Sequence, residues 1–388
     1  MQQPATAANT TIPNMSPLVS ETTDRPTDLA RRLVLEYGWN STSHQVLDPG
    51  MSHWFSLGRD AVVGYVEVAG MRVVAGAPVA ADDRLAAVAK EFEDDSLAVG
   101  RQVCYFAAEN RLLAQVKHRR YARHLIGLQP TWSAESWGRR FDASASLRAQ
   151  RNRAVNKGVR VVEVDAGRER DHDLRDCHAA WLAAKGLPRL GFLAHSDLSH
   201  ADAGTVADRR LFVATVGPGV PGAVTTSDAS EGDADDGVIA YLSAAPVPRR
   251  RGWLVEKIVR RPSAPNGTTE LLLDTALRAL AVDAERFTLG LSPLIAKAEE
   301  KAVAPTARLT SERCVEVAER LAVKRGHRLY DFGGLYSFKR KFRPEAWEPV
   351  YLLSTQEQLT PRTFLALAGA FLGAGKANPY RGWWSMPS

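Results

Sequence analysis

Two rounds of short apolar runs alternating with amphipathic helical segments constrain this chain more than any other feature. The first round has AVVGYVEV (Ala61–Val68), MRVVAGAPV (Met71–Val79) and VCYFAA (Val103–Ala108). Between the last two lies RLAAVAKEFEDD, in which Leu85, Val88, Ala89 and Phe92 recur at helical spacing. The second round opens with VRVVEV (Val159–Val164) and a helix DLRDCHAAWLAAKG with Leu174, Cys177, His178 and Trp181 on one face. It continues through LFVATV (Leu211–Val216), VIAYLSAAPV (Val238–Val247) and WLVEKIV (Trp253–Val259). A helix TTELLLDTALRALAVD follows, with Leu273, Ala276, Leu277, Leu280 and Ala281 as its buried stripe, then FTLGL, a helix SERCVEVAERLAVKRG and a final strand region. Strands and helices alternating twice over predict an α/β protein with mixed β-sheets in two similar halves.

The punctuation divides the chain further. Residues 1–26 are rich in Ala, Thr, Pro, Asn and Ser without periodicity and read as a disordered tail. The expected halves are 27–145 and 146–355, with a basic linking helix opening the second and a Gly/Asp/Ser-rich disordered insertion near 217–237. Residues 356–388 form a tail. There Phe364, Leu367, Phe371, Trp383 and Trp384 beside Lys376 and Arg381 suit either a membrane interface or a helix docked on the domain. Of 388 residues 45% are apolar, which excludes a disordered protein, and no run approaches the ~20 needed to span a bilayer. The first residues carry neither a basic n-region nor an apolar h-region, so a cytoplasmic location is expected. Cys104, Cys177 and Cys314 have no metal-ligand spacing, and no metal site is expected.

Lys plus Arg number 50 against 44 acidic residues, a net charge of +6, and the excess is clustered. KHRRYARH (Lys117–His124), the arginines between Arg139 and Arg160, PRRR (Pro248–Arg251) and FKRKFR (Phe338–Arg343) admit anionic partners, whether nucleic acid, phosphates or lipid headgroups. Each cluster taken singly also suits a solvated surface. GxSxG, HExxH, Walker and GxGxxG signatures are absent. Cys177 and His178 share an apolar helix face and read as core.

The segment LVEKIVRRPSAPNGTTELLL is the most informative. In strand alternation Glu256 shares a face with Leu254 and Ile258. A carboxylate on an apolar face suits a general base or an amine anchor, and equally an ion pair with a core-facing arginine. Asn266 and Gly267 turn the chain into a helix starting at Thr268, a place where phosphates or carboxylates are held or where Asn266 or Thr268 simply caps the helix. FGGLYSFKRKFRP, read as a strand, projects Lys339 and Lys341 to one face, inviting a phosphate or a developing oxyanion between them.

These residues resemble a known family. GWLVEKIVRRPSAPNGTTELLLDTALRAL, FTLGLSPL and LYDFGGLYSFKRKFRPEAWEPVYL are similar to the C-terminal catalytic domain of the phosphatidylglycerol lysyltransferases, as are WFSLGRDAVVGYVEVAGMRVVAGAPV, RAQRNRAVNKGVRVVEV and WLAAKGLPRLGFL. The likeness runs from Trp54 to Leu353. It implies tandem GNAT-like (dual acyltransferase) halves with a tunnel between them for aminoacyl-tRNA and a lipid acceptor. Glu256 stands at the family's acidic position, Lys339 and Lys341 at its FKxKF positions, and Gly290 and Pro293 at its LGxxPL turn. Arg148, Arg151, Arg153 and Lys157 occupy its basic stretch, a tRNA or phosphate contact, while Arg260, Asn266, Gly267 and Thr268 are the further substrate-binding positions.

The chain departs from the family in three places. Val259 replaces the arginine three residues after the acidic position, with Arg260 and Arg261 beyond it, and Arg189 stands where an acidic residue is common. The N-terminal membrane domain is not in this sequence, so a soluble relative is expected, peripheral at most to the inner face of the membrane.

The resemblance thus implies an aminoacyltransferase taking an aminoacyl group from aminoacyl-tRNA to a hydroxyl-bearing, phosphatidylglycerol-like lipid. It implies no metal or redox cofactor. Three alternatives stand beside it. One is an acyl-CoA-dependent N-acyltransferase, against which RRPSAPNG replaces the usual pyrophosphate loop. The second is a tRNA-dependent enzyme acting on a peptidoglycan precursor amine. The third is a non-catalytic protein binding RNA or anionic membrane.

Overall fold

The computed structural model describes residues 25–117, 119, 121–185, 191–193, 202–217, 237–293, 308–309 and 332–373. The expected helix at 311–326, Cys314, Arg189, most of the insertion and the terminal tryptophans lie outside them.

In the first half α1 (Pro26–Tyr37) precedes an antiparallel run β1 (Ser52–Phe55), β2 (Val62–Val68) and β3 (Met71–Ala75). From β3 the chain crosses over through α2 (Leu85–Ala98) to a parallel strand β4 (Gln102–Ala108), followed by the short α3 (Asn110–Gln115). The second half repeats the plan. β6 (Val159–Val164), β7 (Arg210–Val216), β8 (Val238–Val247) and β9 (Gly252–Arg260) are antiparallel neighbours, with α6 (His172–Lys185) and α7 (Ala203–Ala207) between β6 and β7. Helix α8 (Thr268–Leu280) then crosses over to β10 (Arg286–Thr288), which is parallel to β9. Parallel neighbours require such a crossover, so the two helix-linked steps mark the internal repeat.

The halves are joined by two strands. β5 (Ala122–Ser133), next after the first half, pairs with β10 of the second, and β13 (Ala346–Ser354), near the end of the chain, lies between β4 and β5. One mixed sheet results, in the order β1-β2-β3-β4-β13-β5-β10-β9-β8-β7-β6. The two-residue strands β11 (Ser292–Pro293) and β12 (Arg308–Leu309) add to β5. Strand β5 shows no alternation in the sequence because it is buried along most of its length on both faces.

Helices α4 (Ala134–Asp142) and α5 (Ala145–Asn156) pack with α8 over the second half. Leu271, Leu272, Leu273, Ala276, Leu277 and Leu280 of α8 are all buried, each leucine contributing about 1.5–3 kcal/mol. An aromatic group completes this core. Trp132 and Trp137 meet edge-on at 5.7 Å, and Phe342 stacks on Trp137 at 6.0 Å. The indole of Trp132 donates to the Phe342 carbonyl at 2.9 Å.

The structure corrects the strand expected at FKRKF. Phe332–Arg340 is a helix, α9, and Lys341–Arg343 closes its end as a turn before Pro344. Phe338 and Phe342 are four residues apart, a helical spacing that the period-2 aromatic–cation alternation masks, and both pack into the aromatic core. Lys339 and Lys341 therefore do not project side by side from a strand.

The last described helix, α10 (Pro361–Phe371), docks on β2 and β3 with Ala366, Leu367 and Ala370 buried. Phe371 meets Phe106 and Phe192 at 5.1 and 5.5 Å, which is the docked-helix alternative for this stretch. Among the described residues no helix is long and apolar enough to cross a membrane.

Candidate active site

The register of β9 on β8 breaks at the acidic position. Val255 pairs with Ala244 and Lys257 with Ser243, so Glu256 is an extra residue without a partner across the ladder. A bulge of this kind re-aims side chains. Leu254 and Glu256 keep one face, but Ile258 joins Val255 on the opposite, α8-covered face, contrary to simple alternation.

Glu256 is turned to a buried arginine. Arg209, at the entry to β7, donates from Nε to Oε2 at 2.8 Å and from Nη2 to Oε1 at 3.4 Å. The same Nη2 reaches Oδ1 of Asp48, in the first half, at 2.6 Å. The three side chains are 4%, 1% and 5% exposed. The expected alternative of an ion pair with a core-facing arginine is thus present, and the carboxylate still offers lone pairs to an ammonium or hydroxyl donor. Beside it His44 bonds Asp208 at 3.2 Å, and Asp208 also accepts from Arg31 Nε at 2.8 Å. Burial, and then the positive charge of Arg209, lower the His44 pKa.

Lys339 is buried on a seat of two carbonyls. Its Nζ donates to Gly290 O at 2.9 Å and Leu291 O at 2.8 Å, where Gly290 has φ +68° and directs the chain out of β10. These two acceptors satisfy both N–H bonds of a neutral amine. The third N–H of an ammonium has no acceptor in hydrogen-bond reach among the described residues. Burial accordingly lowers the Lys339 pKa to about 7. A group so placed exchanges a proton near neutrality.

Lys341 is elsewhere. It pairs with Glu270 in the first turn of α8 and lies 5.2 Å from the ring centroids of Phe338 and Phe342. The turn before α8 is packed rather than open. Gly267 has φ +95°, and a Cβ there would sit 1.9 Å from the Gln150 carbonyl of α5. The Thr268 hydroxyl donates to Pro265 O at 2.7 Å, and Asn266 is exposed. Packing against α5 thus accounts for the glycine, and the Thr268 hydroxyl is already engaged. Arg260 Nη1 bonds Ala264 O at 3.4 Å, bracing the same turn.

On α5 the four cations separate. Arg151 is committed to Asp274 and Asp142 at 2.8 and 3.1 Å, whereas Arg148, Arg153 and Lys157 are exposed, Arg148 reaching the Asp142 carbonyl. Cys177 is buried, and its thiol is pushed up to about 11, as befits core. Among the described residues no cluster of His, Cys, Asp and Glu is arranged to hold a metal.

A cleft of about 920 Å³ opens where the halves meet, lined by the end of α1, the start of α3, Pro248–Arg251, Arg286 and Glu348. Arg250 braces it, 4.8 Å from the Trp39 ring and bonded to Glu348 at 2.6 and 2.8 Å and Glu109 at 3.2 Å.

Sequence reasoning missed Arg209, Asp48 and the Gly290–Leu291 carbonyls. Arg209 stands in a pair of arginines just before a strand and carries no periodic signal. The carbonyls have none at all.

The family profile described as phosphatidylglycerol lysyltransferase, C-terminal, matches residues 31–354. The C-terminal domain of an assigned lysylphosphatidylglycerol synthetase from Agrobacterium fabrum superposes with TM-score 0.68 at 16% identity, covering 90% of this chain and 98% of that one. L-PGS from Bacillus licheniformis gives 0.66 at 20% identity, covering 89% and 97%. FemX gives 0.52 at 10% identity, covering 86% and 97%. At such identities these structures speak for the fold, which is the mixed α/β, GNAT-like acyltransferase fold. No curated protein matches the sequence.

Proposed function

The chain belongs to the phosphatidylglycerol lysyltransferase C-terminal family and is an acyltransferase of the aminoacyl-transfer kind; on that premise we propose that its donor is an aminoacyl-tRNA and its acceptor the hydroxyl of a phosphatidylglycerol-like lipid. The observation that carries the mechanism is the Lys339 amine on its two-carbonyl seat, satisfied when neutral and poised to take a proton.

The acceptor hydroxyl oxygen attacks the aminoacyl carbonyl carbon while its proton passes to the Lys339 amine. The tetrahedral intermediate then collapses, the ester bond to the tRNA ribose breaks, and the proton returns from Lys339 to the departing ribose oxygen. Glu256 accepts hydrogen bonds from the donor's α-ammonium or the acceptor hydroxyl and so fixes the attacking geometry. The donor is already an activated ester, so positioning supplies most of the rate. The exposed cations Arg148, Arg153 and Lys157 supply a phosphate-binding face for the tRNA.

The test mixes the protein with a radiolabelled aminoacyl-tRNA pool and phosphatidylglycerol vesicles and counts the organic phase. Label should appear there and fall by roughly 100-fold or more in Glu256→Gln and Lys339→Met. An unlabelled organic phase with the tRNA ester intact overturns the reading.

A further inference from the structure

The Glu256 carboxylate is held by a residue from another strand, and that residue is itself held from the other half of the molecule. Arg209 enters β7 in the second half, Glu256 is the bulged residue of β9, and Asp48 follows the short helical turn His44–Leu47 of the first half. We infer that Arg209 is a positioning residue for the transfer reaction: it fixes the orientation of Glu256, and Asp48 fixes Arg209. The inference rests on the reading of Glu256 given above and goes beyond it by naming what sets that carboxylate.

Three observations support a positioning role over simple cohesion. First, the guanidinium meets Glu256 with two nitrogens, which defines the carboxylate plane as a single contact would not. Arg209 is anchored again from behind, Nη1 donating to Thr205 O at 3.0 Å and Nη2 to Asp48 at 2.6 Å, so the guanidinium plane is set by groups other than Glu256. Second, one guanidinium lies between two buried carboxylates. Burying such an arrangement is poor value for stability, since apolar residues of similar volume commonly do as well or better. Third, the contacts bring together titratable groups from both halves. His44 and Asp48 come from the first, Asp208, Arg209 and Glu256 from the second, and the pKa of His44 responds to Arg209 and Glu256. Orientation of the carboxylate thereby depends on the halves being in register.

Val259, three residues after Glu256, is buried in the apolar cluster under α6 and supplies no charge, so the guanidinium partner of this carboxylate comes through space.

The experiment measures steady-state transfer from aminoacyl-tRNA to phosphatidylglycerol vesicles for wild type, Glu256→Gln, Arg209→Met, Arg209→Lys and the double variant Glu256→Gln/Arg209→Met, with thermal melting of each. Arg209→Met should lower kcat by about 100-fold, the scale of a 1 Å misplacement, with the donor KM unchanged within about threefold. Arg209→Lys should recover about a tenth of the lost rate, and the double variant should be no slower than Glu256→Gln alone. A wild-type kcat in Arg209→Met, or losses that multiply in the double variant, overturns the inference while leaving the Glu256 reading standing. A wild-type kcat in Glu256→Gln removes both. Should Arg209→Met fail to melt cooperatively, Asp48→Asn replaces it. It should slow kcat several-fold in the wild-type background and have no effect beside Glu256→Gln. An unchanged kcat there counts against the inference.

Discussion

Replacing Lys339 with Met tests the buried amine through stability as well as activity. Burial lowers the folded pKa from 10.5 to about 7, and at about 1.4 kcal/mol per pH unit this gap is on the order of 5 kcal/mol. The sign follows from proton counting. Between pH ~7 and ~10.5 the unfolded chain keeps the Lys339 proton and the folded one releases it, so folding becomes more favourable as pH rises. Below pH ~7 both states are protonated and the full burial cost is present. Lys339→Met removes that cost but leaves the Gly290 and Leu291 carbonyls without their donor, at about 1–3 kcal/mol each. The carbonyl loss is independent of pH and masks part of the burial cost in any one measurement, so the slope with pH decides. Urea unfolding at pH 6, 7, 8 and 9 should show wild type gaining about 2–3 kcal/mol on Lys339→Met between pH 7 and 9. All other titrations are common to both proteins and cancel in the difference. A stability difference constant within about 0.5 kcal/mol over that range refutes the buried, neutral-leaning amine.

Gly267→Ala forces a Cβ against the Gln150 carbonyl at a positive φ, and urea unfolding should show a loss of about 2–4 kcal/mol. Trp132→Phe removes the donor to the buried Phe342 carbonyl and should lower stability by about 2–3 kcal/mol in the same assay. Arg153→Glu with Lys157→Glu, both on exposed positions, should weaken tRNA binding at every salt concentration. The log–log salt slope should fall by about 2 in magnitude, and an unchanged slope removes α5 from the tRNA contact.

Local pattern carries its own elements well. Helices α2, α6 and α8 follow from apolar periodicity and strands β2, β4 and β6–β9 from short apolar runs, because a buried helix stripe or a buried strand must stay apolar. The same logic misled at Phe338–Phe342, where cations and aromatics alternate at period 2 while the aromatics alone also satisfy a helix. It was silent over β5, whose Gly127 and Pro130 sit in a central strand buried on both faces.

The sequence by itself determined the α/β class, the internal repeat, the family likeness and the acidic and cationic positions, all of which are properties of residue type and spacing. Only the tertiary structure decided what those positions do to one another. The bulge that turns Glu256 away from Ile258 arises between β8 and β9, Arg209 and Asp48 arrive from distant segments, and the carbonyl seat of Lys339 forms where α9 meets the turn after β10. Periodicity reports which face of an element is buried. It does not report which other element covers that face, and burial beside a specific partner is what sets the charge and orientation of a polar group.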